Sequence, residues 1–429
     1  MTRSRCPGPT GRRFVQQLGA ASVLALAPHA TGNLSRPRPR VAAVFTEFRF
    51  RSHAYDILEN FFAPYLFRGQ LHDPGVDIVS FYADQFPSED MARTAARDHG
   101  IPLYKSIDKA LCQGGHQLDV DAVLLIGEHG DYPVNEKGQM LYPRYEFFQQ
   151  TVEVFRNSGR SVPVFCDKHL SWNWDCAREM FDISRELGFP FMAGSSLPVS
   201  RRIPSVDLPW QAEVEEMLVI GVGNIDSYCI HSIEALQSLA ERRRGGETGV
   251  VSVKGLRGDS VWRALDDGAW DPALFEACLC RSLNLKPADE SNRHTYPERE
   301  DLPGLLDKDP VAYQFEYADG LRATMLLMPG LVKEMTVAAR IKGHLDPFSL
   351  LFYLGAGHEM QPNFFNPLCH HIEQMMLTGQ PPYPIERTLL TTGLTAAGVE
   401  SLWQDEKKLV TPHLDIQYQV DEASTFRRT

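Results

Sequence analysis

Short apolar runs and stretches of helical spacing alternate through the first half of the chain. Residues 41–45, 76–82, 120–126, 162–166 and 189–193 are apolar and predict strands. Residues 53–62, 88–99, 107–111, 145–157 and 173–187 carry apolar positions at helical spacing and predict helices. Ser88, followed by Glu89 and Asp90, reads as the N-cap of its helix. Alternation of this kind predicts a doubly wound parallel sheet, whose ligands sit beyond the carboxyl ends of the strands. That directs attention to four loops, 46–52, 83–87, 127–133 and 167–170.

The texture changes near Ser196. Residues 213–222, 250–256, 313–317, 322–327 and 333–342 predict strands, with Asp319-Gly320 as a hairpin turn. Residues 225–243, 366–377 and 385–403 predict helices. The second half is therefore α+β with a mostly antiparallel sheet. Gly221-Val222-Gly223-Asn224-Ile225-Asp226 imitates a dinucleotide loop, but it has Asp226 at its third glycine position and no surrounding βαβ unit. It reads as a tight turn into the helix that carries His231.

Composition fits a large globular chain: 429 residues, 43% hydrophobic and 23% charged. A net charge of −12 argues against nucleic acid as a partner. The eight cysteines form no CxxC pair, so a structural metal is not expected, and Cys166 and Cys229 read as buried thiols. Residues 1–40 contain arginines and no acid. Arg12 and Arg13 precede an apolar stretch, 14–30, that is too short for a confident membrane span. Residues 1–30 therefore read as an export signal of twin-arginine type and 31–40 as a linker. The mature protein would be periplasmic, with no stable membrane insertion after processing. The alternative is an N-terminal helix left by a mischosen start codon, with a cytoplasmic protein.

Several segments resemble the Gfo/Idh/MocA oxidoreductases: Val120-Asp121-Ala122-Val123, Val164-Phe165-Cys166-Asp167-Lys168-His169, His231 with Glu234, and the run from Pro384 to Ser401. The resemblance extends from about Val41 to Tyr418. It implies a Rossmann-like nucleotide-binding domain over 41–195, followed by an α+β substrate and oligomerisation domain over 196–429. It also implies NAD or NADP as cofactor, a sugar or polyol as substrate, and a homo-oligomer formed through the second domain. Candidate cofactor contacts are Thr46, Glu47, Phe48, Asp84, Glu128 and His129. The first loop departs from the family's GxGxxG, since Phe45, Glu47 and Phe50 fill the glycine positions and Glu47 adds negative charge. Weak or no binding of free NAD is expected.

The resemblance makes Lys168 a substrate-orienting and proton-relaying group and His231 a general base. Tyr228 and Glu234 share the helical face of His231. Lys168→Met is expected to cost little stability. His169 lies beside Lys168, and Glu128, His129 and Asp131 crowd one loop, where they suit sugar hydroxyls, a divalent metal or plain solvation. His358-Glu359 and His370-His371 are further candidates to reach the cleft from the second half. HExxH and GxSxG are absent. Three readings stay open: a dehydrogenase; a carbohydrate-binding protein, lyase or hydrolase that has lost its nucleotide; and a structural partner whose second sheet supplies an interface.

Overall fold

The structure is a computed structural model that describes residues 37–292, 295–354 and 364–426. The expected export segment lies outside these residues, as do His358 and Glu359. Arg38–Thr429 forms one compact unit.

The first sheet contains β1 (Arg40–Phe45), β2 (Asp77–Ala83), β3 (Leu103–Tyr104), β4 (Ala122–Ile126), β5 (Val164–Asp167) and β6 (Phe191–Gly194). Their order is β3-β2-β1-β4-β5-β6 and every pairing is parallel. This is the doubly wound arrangement. Val41 to Phe45 and Ala122 to Ile126 are completely buried, which explains why these strands read as unbroken apolar runs. The register aligns Phe45 with Ala83 and Ile126, and Asp167 with Gly194. All the loops that leave the strand ends therefore open on one side.

The helix His53–Phe62 has the expected bounds, and Ser52 caps it by accepting from the Tyr55 N–H. The helix expected over 88–99 instead runs Ala92–Asp98. The Met91 N–H is spent on the Phe48 carbonyl, and Asp90, rather than Ser88, accepts from the first helical N–H, that of Ala92.

The second sheet has eight strands: β7 (Arg202–Ile203), β8 (Val214–Gly221), β9 (Val250–Arg257), β10 (Val311–Tyr317), β11 (Arg322–Leu327), β12 (Met335–Ile341), β13 (Phe348–Phe352) and β14 (Leu409–Val410). The order is β14-β9-β10-β11-β8-β12-β13-β7. Only β8 and β11 pair in parallel. One face packs on the helices Cys229–Ala240 and Ile385–Trp403, within a core that also includes β1, β4 and β5. The opposite face carries the helices Asp259–Asp266 and Pro272–Arg281, which bury Trp262, Trp270, Leu274 and Phe275. Asp271 and Pro272 supply a cap and a first-turn proline for the latter helix.

Candidate active site

The loop after β1 folds inward. The Thr46 hydroxyl donates to the Glu128 carbonyl at 2.6 Å, tying this loop to the one after β4. Phe48 is 2% exposed and packs among Phe45, Tyr55 and Phe81. Glu47 is buried and accepts from Arg49 at 2.6 Å. Asp84, beyond β2, accepts from the hydroxyls of Tyr82 at 2.9 Å and Tyr132 at 2.7 Å. Burial and Asp84 together push the Tyr82 phenol up to about 12.

The loops after β4 and β5 meet in an ion cluster. Lys168 is 2% exposed, and its Nζ donates to Glu128 Oε1 at 2.8 Å and to the Ser227 carbonyl at 3.1 Å. Fully buried Arg144 pairs with the other Glu128 oxygen. Burial opposes the Glu128 charge, but Lys168 and Arg144 outweigh it and hold the carboxyl below the usual carboxylate range. Gly127 makes room for this arrangement, because a Cβ there would lie 2.7 Å from Arg144 Cγ. Lys168 and His129 have φ of 61° and 70°, a left-handed backbone that non-glycine residues seldom adopt.

Three imidazoles gather near this cluster. His53, at the start of its helix, places Nδ1 2.6 Å from Asp167 Oδ2, so Nδ1 carries a hydrogen toward the carboxylate. The His53 ring lies 5.3 Å from that of His129 and 6.5 Å from that of His231. Burial and neighbouring His53 push His129 down to about 3, so it is neutral. His231 Nδ1 lies 2.5 Å from Ser195 Oγ, and burial with the nearby Lys168 charge lowers its pKa well below the ordinary imidazole value. Tyr228 is 42% exposed; its ring lies 6.0 Å from that of His231 and 5.2 Å from Lys168 Nζ.

Other candidates face elsewhere. Glu234 does not touch the His231 ring. It accepts from the Ser195 N–H and from the Thr388 and Thr391 hydroxyls, and burial pushes it up to about 7. Gly194 leaves it room, since a Cβ there would lie 2.8 Å from Glu234 Oε2. His169 is buried near Asp226, with neither ring nitrogen in a hydrogen bond. Glu128, His129 and Asp131 do not assemble as ligands: Glu128 is committed to Lys168 and Arg144, and Asp131 is exposed. His371 Nε2 lies 2.7 Å from the Thr425 carbonyl, and the His370 ring lies 4.4 Å from that of Phe67, tilted by 30°. His53, Asp167 and Ser195 were missed as site residues. The usable signal was a histidine directly after a capping serine, at the carboxyl end of the first strand.

A dinucleotide needs close backbone approach at the first turn, an open helix N-terminus and an acceptor for its ribose. Phe45, Glu47 and Phe50 hold the glycine positions of the turn and Ser52 caps the helix, while exposed Asp84 keeps lone pairs beside its two tyrosine partners. The first turn does not fit that cofactor.

No family model matches the chain, and no curated protein matches it in sequence. Solved structures do match its fold. GenD2 from gentamicin A biosynthesis, in complex with NAD, is 12% identical, with a TM-score of 0.55 over 87% of this chain and 97% of its own. The chain has the two-domain fold of the Gfo/Idh/MocA dehydrogenases. A probable dehydrogenase from Thermotoga maritima is 13% identical, with a TM-score of 0.54 over 87% of this chain and 99% of its own. Scyllo-inositol dehydrogenase from Lactobacillus casei is 11% identical, with a TM-score of 0.52 over 87% and 98%. The chain thus has this fold with Phe45, Glu47 and Phe50 at the glycine positions of the first loop.

Proposed function

We propose that the protein is a non-redox acid–base enzyme acting on a small polyhydroxylated molecule, on a dehydrogenase scaffold that has lost dinucleotide binding. One observation carries this reading: His53, backed by Asp167, clusters with His129 and His231. Asp167 holds the His53 tautomer whose Nε2 accepts a proton, and it stabilises the imidazolium that results. His231, held by Ser195, is a second proton carrier; with a depressed pKa it gives up a proton readily once charged. The buried Lys168–Glu128–Arg144 cluster fixes the floor of the site. Sugar or polyol chemistry suits such a cleft, and the inositol dehydrogenase that shares the fold points to the same substrate class. The test is a panel of sugars, polyols and sugar acids in deuterated water, followed by NMR for exchange or elimination. Loss of that chemistry in His53→Gln supports the reading. Turnover only when nicotinamide is supplied contradicts it.

The second reading, a sugar or polyol dehydrogenase with NAD or NADP, is favoured by the fold shared with NAD-bound GenD2. It requires a cofactor held by contacts other than the loop after β1. Export of the chain rests on the arginine-rich, acid-free segment and the apolar residues 14–30. Among the described residues no helix is long and apolar enough to cross a membrane. A reporter fused after Arg40 should leave the cytoplasm, and retention there contradicts export.

A further inference from the structure

We propose that His72, His370 and Glu373 form a binding site for a divalent transition metal, zinc foremost. The site is separate from the cleft and was not expected from the cysteine pattern. His72 ends the short hairpin formed by Tyr65–Phe67 and Gln70–His72, while His370 and Glu373 stand one turn apart on the helix Asn366–Thr378. One donor atom from each lies within 4.8 Å of the others. In tetrahedral zinc sites such donors stand roughly 3.3 Å apart, so small side-chain adjustments close the set.

The groups that orient these ligands are already in place. Glu373 is buried, and its Oε1 accepts from the Gly75 N–H at 2.6 Å, which directs Oε2 toward His72 Nε2 at 2.5 Å. His370 Nδ1 is buried with no hydrogen-bond partner. The hydroxyl of Tyr65 is likewise buried and unpartnered, and its ring lies 5.1 Å from that of His72. Two imidazoles and one carboxylate select zinc, cobalt or iron over magnesium or calcium, and three protein ligands leave a fourth position open.

The position explains what a metal would do. The hairpin exposes Leu66 at 65% and Leu71 at 69%, so apolar packing holds it weakly. A metal joining residues 301 positions apart fastens it to the helix. Phe365, immediately before that helix, sets its ring 5.3 Å from His53, edge-on. Occupancy would therefore steady the wall against which His53 rests.

The test uses the full chain, stripped with chelator and titrated with Co²⁺ while visible absorption is recorded. The expected result is one ion per chain, with intense tetrahedral-type bands that Zn²⁺ abolishes. Glu373→Gln and His370→Ala should each weaken binding at least about 100-fold, since even outer-shell changes cost 10–100-fold. The exposed His116→Ala should bind as the unaltered protein does. Circular dichroism checks the fold, and near-isosteric Glu373→Gln keeps the test decisive if His370→Ala unfolds. Absence of saturable Co²⁺ binding, or binding unchanged in Glu373→Gln, overturns the proposal.

Discussion

His53 Nδ1 lies 2.6 Å from Asp167 Oδ2, across 114 positions of sequence. The contact exists because His53 starts the helix after β1 and Asp167 ends β5, and the carboxyl ends of these parallel strands lie on the same side of the sheet. Asp167→Asn should therefore release the imidazole tautomer. Nitrogen-15 NMR should show His53 protonated on Nδ1 in the unaltered protein and as a mixture in the variant. Turnover of any substrate found should fall about 10²- to 10⁴-fold, within the span of general acid–base contributions. An unchanged tautomer would remove the dyad from the account.

Glu128 holds two buried cations, Lys168 and Arg144. Glu128→Gln leaves both without their counter-charge. Breaking a buried pair this way costs about 3–5 kcal/mol, so the urea midpoint should fall clearly. Lys168→Met, expected from sequence to be mild, should also destabilise, because Lys168 is a buried part of this cluster. A midpoint unchanged in both variants would mean that the cluster carries no structural weight.

Glu234 is buried with its pKa raised to about 7, against an ordinary value of 4.5. The folded state therefore binds a proton that the unfolded state has released between those values. Stability from this group is full at acid pH and falls as pH rises from about 4.5 to 7. Glu234→Gln keeps a neutral side chain beside Thr388 and Thr391 and should remove that slope. At pH 8 it should gain on the order of 1–2 kcal/mol relative to the unaltered protein, with little difference at pH 5. Parallel stability curves for the two proteins would contradict the neutral carboxyl.

Periodicity served the architecture well. His53–Phe62, Arg322–Leu327 and Ile385–Trp403 have their expected bounds, because long apolar faces and a capping serine define them locally. Where a side chain competes for the backbone, the reading slipped. Asn224 accepts from the Asp226 and Tyr228 N–H groups, so the helix expected from residue 225 begins at Cys229. Lys168 and His231 stood out in the sequence through resemblance. His53 and Asp167 did not, since their pairing depends on strand order. Glu234 shares a helix turn with His231, yet space at Gly194 draws it to Ser195 instead.

The loss of dinucleotide binding is tested most directly on the purified protein. Denaturation followed by mass spectrometry should release no nicotinamide, and calorimetric titration with NAD or NADP should show no saturable heat at micromolar concentration. Phe45, Glu47 and Phe50 at the glycine positions of the first turn, with the helix N-terminus capped by Ser52, predict that outcome. Release of stoichiometric cofactor, or micromolar affinity for either one, would contradict it and restore the dehydrogenase reading.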